Sequence, residues 1–473
     1  MRLRFLLFIL LAWFAVEQAS FGSAFSIREL GVRAQGMGGA FTAVADDASA
    51  IFFNPAGIAF QDGLQLEMDS LVVVGLFRFF PSITPPGTIV PEKGYHGSIS
   101  PKFIPVGNLY LTKKINDRMT FGLGAFAPFG LAANFTNFND GDPARGKYPG
   151  RFAGTRARLE VFWLQPTIAF KLSPNSSVAV GPAFIHTHLF YEQSILSPYD
   201  DGKTFGREVA DQLFPGQNPA EAARSIARLL PEGRFRLAGT ANSAGVNLGY
   251  LYRHPGTHTS IGLSYRSGTA HHLKGKASFA FTDDSAIAPF LPESQTIEDL
   301  FPTQDAAGLF QTPATYNIGI ANTALPGTTL AMDVTFQDYH RFRALPINFT
   351  QTSGTATPPE RKIEFDFRNS VVVMAGIEKR MGEDMAVRAG FVFDHTPVPD
   401  KSTGPLFPDS SRFSLTLGAS KRKGNTEFSV FYQAMNMVAR TTNVTENNNQ
   451  FTNGLYDNFV HLAGVGLRMY IGN

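Results

Sequence analysis

The chain has 473 residues, enough for two or three soluble domains or for one large barrel. Only 17% of them are charged, against roughly 25% in soluble globular proteins, and a formal net charge of +2 without any basic block argues against nucleic acid as a partner. Cysteine is absent, which excludes a disulfide framework and a thiolate metal site, while 45 Gly and 44 Phe beside only 2 Trp call for an explanation.

Arg2 and Arg4 precede an apolar run from Phe5 to Val16, and the small residues Gly22, Ser23 and Ala24 follow. This layout predicts a secretory signal peptide over residues 1–24, cleaved after Ala24 give or take two residues. The run is shorter than the ~20 residues a spanning helix needs. No later window of ~18 apolar residues occurs, so any further membrane crossing must use strands.

Residues 25–62 lack dyad alternation and are rich in Gly and Ala, with short helical possibilities around 42–51. A segment ahead of the first strand is either a tail or a plug within a lumen. Its small residues favour close packing in a confined space, so 25–62 is read as an N-terminal hatch. Asp46 and Asp47 are expected to cap a short helix there or to bond to inward barrel residues.

From residue 63 to 473 the pattern changes to alternation over about ten residues, bounded by turns. In the last run Phe459, Ala463, Val465, Leu467, Met469 and Ile471 share one face, with His461 the only polar intruder. Strands are predicted at 64–79, 99–114, 118–133, 156–172, 177–195, 238–253, 258–281, 313–323, 328–349, 362–380, 385–396, 411–421, 425–444 and 457–472. Short Pro/Gly/Asn turns, as in Leu172–Ser176 and Lys421–Asn425, close one end. Long stretches, including 197–236 and 283–311, lie between strands at the other. This asymmetry and an even strand count predict an all-β fold, a 14-stranded antiparallel transmembrane β-barrel whose lumen is plugged by the hatch. Asn218–Leu230, with Pro219 in its first turn and an apolar stripe, reads as a helix in the longest loop.

Few residues suggest other chemistry. His186 and His188 share a strand face and could hold metal, but without a third ligand they read as polar lumen residues. His271 and His272 point to opposite faces and read as a solvated pair. The G-x-S-x-G elbow, H-E-x-x-H and the P-loop are absent, so no catalytic residue, enzyme activity or cofactor is expected. Aromatic girdles favour Trp and Tyr; the Phe surplus is instead expected to line an apolar ligand path in part.

The run Gly36-Met-Gly-Gly-Ala-Phe-Thr-Ala-Val-Ala-Asp46-Asp47-Ala-Ser-Ala-Ile-Phe-Phe-Asn54-Pro55-Ala56 resembles the hatch of the FadL/TodX family of long-chain fatty acid and aromatic hydrocarbon transporters. Phe129–Ala132, Gln311–Tyr316, Asp333–Tyr339, Phe393–Pro399 and Pro408–Phe413 resemble later parts of the family in the same order. The resemblance implies a monomer in the Gram-negative outer membrane, among its lipid and lipopolysaccharide, passing a hydrophobic small molecule. It implies sideways exit through a gap where the third strand kinks at Ala127, Pro128, Phe129 and Gly130, beside the hatch contact Asn54, Pro55 and Ala56. Pro128 lacks a ladder donor and Gly130 permits a bulge, which agrees with a kink. The family's basic head-group positions match Gln193, which is not basic, and fall near Lys362. Loss of one cation weakens the case for a carboxylate ligand and favours a neutral hydrocarbon. The rival readings are a general porin with an open charged lumen, an outer-membrane lipid hydrolase, and a structural barrel.

Overall fold

The computed structural model describes residues 24–81, 97–98, 104–134, 151, 153–195, 233–281, 288–291, 295–355, 357, 359–404, 407–443 and 452–471. The predicted signal segment up to residue 23 and the predicted helix at 218–230 lie outside them.

A single antiparallel sheet closes on itself in fourteen passes. In chain order these are β1 (Leu64–Pro81), β2 (Gly97–Ser98 and Ile104–Asn116), β3 (Met119–Asn134), β4 (Arg156–Ser173) and β5 (Ser176–Ile195). Next come β6 (Gly233–His254), β7 (Thr259–Arg266 and Thr269–Phe281) and β8 (Gln304–Thr312 and Ala314–Asn322). They are followed by β9 (Thr328–Asp338 and Ala344–Phe349), β10 (Glu360–Glu364 and Ser370–Met381) and β11 (Met385–Asp394). The last three are β12 (Arg412–Lys423), β13 (Thr426–Met437 and Arg440–Thr442) and β14 (Gly454–Ile471). Closure is between β14 and β1, paired continuously from Leu64↔Ile471 to Pro81↔Gly454.

Alternation sets the two faces. Along β12 and β14 every second residue is buried, while Leu415, Leu417 and Val465 stand exposed on the outside. An apolar exterior is the inverse of a soluble barrel and suits a hydrocarbon surround. At one end the strands are joined by tight turns. Gly382 (φ 75°) and Gly424 (φ 60°) supply the left-handed backbone there, a conformation that a side chain would strain.

β8 begins at Gln304, nine residues before the predicted strand; Asp305, Gly308 and Gln311 disguise its alternation. Several upper strands are broken. β9 is interrupted over residues 339–343 and β10 over 365–369, and both breaks turn aromatic side chains inward: Tyr339, Phe342, Phe365 and Phe367 are all buried.

Residues 24–62 pack against the inner faces of these strands. They hold α1 (Val32–Gly36), α2 (Ala50–Phe53) and a 3-10 helix (Pro55–Phe60). The helical stretch expected at 42–51 is mostly turns. The carboxylate of Asp333 on β9 accepts from the Phe41 and Thr42 amides at 2.8 and 2.7 Å, so these groups are satisfied by the wall and not by a helix.

Candidate functional site

β3 separates from β2 half-way along its length while staying paired with β4 as far as Asn134↔Arg156. It pairs with β2 only from Asn116↔Met119 to Leu109↔Ala125 among the described residues, although β2 continues to Ile104 along β1. On its other edge the step from Phe126↔Trp163 to Phe129↔Val161 uses one more residue of β3 than of β4. Ala127 and Pro128 form this bulge, and residues 124–131 are all buried, so the strand bends into the lumen. Pro128 explains the site of the bulge, because its ring nitrogen cannot contribute to a ladder.

The backbone that β3 withdraws from β2 is taken up by the start of the described chain. Ser26 bridges Phe129, the Ile27 amide donates to Pro128 O at 2.8 Å, and the Gly130 amide donates to Phe25 O at 2.8 Å. Phe25 is fully buried in an aromatic cluster, with ring centroids 5.1 Å from Phe342, 5.3 Å from Phe310, 5.4 Å from Tyr339 and 6.0 Å from Phe129. Part of the Phe surplus is therefore interior. Sequence reading missed Phe25, because its partners come from strands and breaks up to several hundred residues away.

Asn54, Pro55 and Ala56 were expected beside the kink, and the structure corrects this. They sit against β5 and β6: the Asn54 side chain donates through Nδ2 to Tyr250 O (3.0 Å) and, within the segment, to Thr42 O (2.8 Å), and Ser177 Oγ donates to Ala56 O (2.8 Å). A Cβ on Gly249 of β6 would lie 2.3 Å from Asn54 Oδ1, so this approach requires glycine. The segment beside the kink is Phe25–Ile27.

Neither Asp46 nor Asp47 caps α2, which carries no side-chain cap bond, and Asp46 is held by Arg33 of its own segment. Asp47 accepts from the Ser49 amide at 3.0 Å, just ahead of α2, and from Arg468 of β14 at 2.7 Å. Arg33 of α1 bonds to Asp46, to Asp47 at 3.3 Å, and bidentately to Glu378 of β10 at 2.8 and 2.9 Å. Glu378 also holds Arg388 of β11 at 2.6 Å, and Arg468 reaches Glu67 of β1 at 3.1 Å. This ionic chain, buried except at Asp46, pins the segment to four strands. Such groups are tolerated away from water only when mutually paired.

The two head-group candidates face opposite ways. Gln193 points into the lumen, where it is buried and accepts from Tyr191 Oη. Lys362 lies on the outer face, exposed, with Nζ 3.8 Å from Glu364. Its neighbour Arg361 faces inward, with its guanidinium 5.2 Å from the Phe235 ring centroid, and Phe235 is the register partner of Gln193. A step of one residue along a strand changes face, so the inward cation is Arg361 and not Lys362. Tyr191, Phe279 and Phe349 surround the same ring at 6.4, 5.3 and 6.3 Å.

The histidines correct in the same way. His186 and His188 are on the outside, bonded to Asn242 (2.8 Å) and near Glu160 (3.6 Å); they are not lumen residues. His271 is buried between Thr187 and Thr312 at 2.9 and 3.2 Å, and only His272 is exposed.

Residues 12–467 match the family model described as outer membrane protein transport protein (OMPP1/FadL/TodX). An outer membrane protein of Neisseria meningitidis is 26% identical over 82% of this chain and 80% of its own. The long-chain fatty acid transport protein of Escherichia coli is 22% identical over 85% and 84%. Among solved structures, a Pseudomonas aeruginosa FadL homologue superimposes with a TM-score of 0.73 at 18% identity, covering 97% of this chain and all of that one. The Pseudomonas putida toluene transporter TodX gives 0.65 at 15% identity, covering 96% and 99%.

Proposed function

The chain belongs to the OMPP1/FadL/TodX family of outer membrane transport proteins, and from that premise we propose that it takes up a hydrophobic molecule with one polar head and releases it sideways. At the coarser level it is a Gram-negative outer-membrane β-barrel that transports hydrophobic compounds, and its family is made of channels and not of enzymes.

In this reading residues 25–62 are the hatch and one monomer contains the whole route. Cargo entering from the long-connection end meets Arg361, Gln193 and Tyr191 around the Phe235 ring, where a head group can bond while the tail stays among aromatics. It next reaches the cluster filled by Phe25. Withdrawal of Phe25–Ile27 from β3 frees the gap between β2 and β3. Asp46, Asp47 and Asn54–Ala56 hold the rest of the hatch still, so only this stretch moves. The observation that carries the reading is that the interrupted ladder at Pro128 is covered by Phe25–Ile27 of the same chain. The exit direction follows from the cargo. Each methylene moved into water costs about 0.8 kcal/mol, so a chain of ~15 would cost on the order of 12 kcal/mol, whereas release into bilayer avoids that cost.

A neutral hydrocarbon is the second reading, favoured by the aromatic lining of both groups. Uptake in cells lacking their own transporter, compared across oleate, alkanes and toluene, decides between them; no uptake of any would overturn the transport of these cargoes. For a carboxylate cargo, Arg361→Ala should weaken binding about 10- to 100-fold, the range for loss of a hydrogen bond to a charged group. Lys362→Ala should leave it unchanged. Equal effects in a tryptophan-quenching titration would reject the inward assignment.

A further inference from the structure

Among the described residues, the outer wall carries a charged zone that the proposed route does not use. On β4 to β7 the outward residues nearest the long-connection end are Arg156, Arg158, Arg234, Arg236, Lys274 and Lys276, all exposed or half-exposed. Register places them together, because Arg156 is opposite Glu192, Glu192 is opposite Arg236, and Thr240 and Ala238 are opposite Lys274 and Lys276. His186, His188 and His272 form the lower border on the same face. Three carboxylates intervene: Glu160 is 2.7 Å from Arg158, Glu192 is 2.6 Å from Arg236, and Asp305 is the register partner of Lys276. Among the described residues, six cations against three carboxylates leave a net positive zone.

The other side of the barrel differs. Among the described residues, the corresponding outward positions of β11 to β13 are Phe393, Phe413, Leu415 and Asn436, and β10 offers Glu360, Lys362 and Glu364. The zone is thus a local feature and not a ring around the rim.

Its height identifies what it meets. Below it the same faces are apolar, with Leu164 on β4, Phe184 on β5 and Leu248 on β6. At about 3.4 Å per residue and a tilt near 40°, the climb along β5 from Ser176 to His186 is roughly 26 Å, the height of a barrel's apolar band. The cations therefore begin where acyl chains end and anionic head groups begin. Three inter-strand spacings of about 4.8 Å spread them over roughly 14 Å, wide enough for two phosphates on one disaccharide. We propose that the outer face of β4–β7 is a binding site for a phosphorylated, multiply acylated glycolipid of the outer leaflet, of the lipid A class. Arg158, Arg236, Lys274 and Lys276 meet its phosphates, and Leu164, Phe184 and Leu248 meet its chains. A guanidinium holds phosphate bidentately and a lysine holds it as a point charge, so the zone suits this head group better than a zwitterionic one.

The test uses the full-length barrel in detergent, titrated with bisphosphorylated lipid A and followed by native mass spectrometry. Arg158→Gln/Lys274→Gln/Lys276→Gln should lower its retention about tenfold or more, and raised salt should weaken the wild type towards the same level. Lys421→Gln/Lys423→Gln, at the opposite rim, should not. Heat-shifted gel mobility reports folding; if the triple variant fails it, Lys274→Gln/Lys276→Gln alone should still lose affinity several-fold. Unchanged retention in a folded variant would overturn the site. So would equal binding of phosphatidylglycerol or of dephosphorylated lipid A, or displacement by millimolar inorganic phosphate alone.

Discussion

Deleting Pro128 should reduce uptake to the background of cells without the protein, while the barrel still folds. The bulge contains a single extra residue, so its removal aligns β3 with β4 continuously as Phe126↔Trp163, Ala127↔Phe162 and Phe129↔Val161. The other edge then extends the β2 ladder upward from Leu109↔Ala125 towards Gly107 and Val106. New ladder bonds replace those to Phe25–Ile27, and the gap zips shut. Folding should survive because an unbroken strand is the ordinary state of a barrel wall, and bulges only interrupt pairing locally. Uptake of labelled cargo and heat-shifted gel mobility measure the two outcomes separately. A folded deletion variant with normal uptake would count against the side route.

Glu378→Ala should loosen residues 25–62 without disrupting the wall. The carboxylate holds Arg33 of α1 at 2.8 and 2.9 Å and Arg388 at 2.6 Å, all three side chains being almost wholly buried. Removing one partner of a buried ion pair costs about 3–5 kcal/mol, because the remaining charge stays desolvated. The barrel strands have their ladders to hold them, whereas residues 25–62 depend on such side-chain ties. The cost should therefore appear as release of that segment. Trypsin should cut after Arg33 in the variant and not in the wild type, and planar-bilayer conductance should rise. Wild-type protection and conductance would mean that the ionic chain is not what keeps the segment in place.

What the sequence made legible follows from the range of the interactions. Dyad alternation is local, so the strands and the tight turns at Gly382 and Gly424 could be read directly. The kink was implied by the family resemblance, and the missing donor of Pro128 only agreed with it, since Pro166 and Pro182 also stand in strands. Face assignment failed for His186 and His188, and the family match near Lys362 lay one residue from the inward Arg361. Nothing in a single strand says which face is inner once both carry polar residues. The partners of residues 25–62 were least accessible. Arg33 and Glu378 are 345 residues apart, and the pairing of Phe25–Ile27 with Pro128–Gly130 has no local signature. The family resemblance placed Asn54–Ala56 at the kink, whereas the segment lies against β5 and β6.

Because the chain has no cysteine, a disulfide between Ser26→Cys and Phe129→Cys would be unique. The two residues face each other across an antiparallel bridge, where side chains come about 4.5–5.5 Å apart at Cβ, close enough for a disulfide after small adjustment. Uptake by this variant, oxidised and then reduced, is the most direct measurement of whether the covered break is the exit. Oxidised protein should take up no more cargo than cells without a transporter, and reduction should restore the rate of the single-cysteine controls. Full-speed uptake with the bond formed would contradict release through the side of the wall at β3.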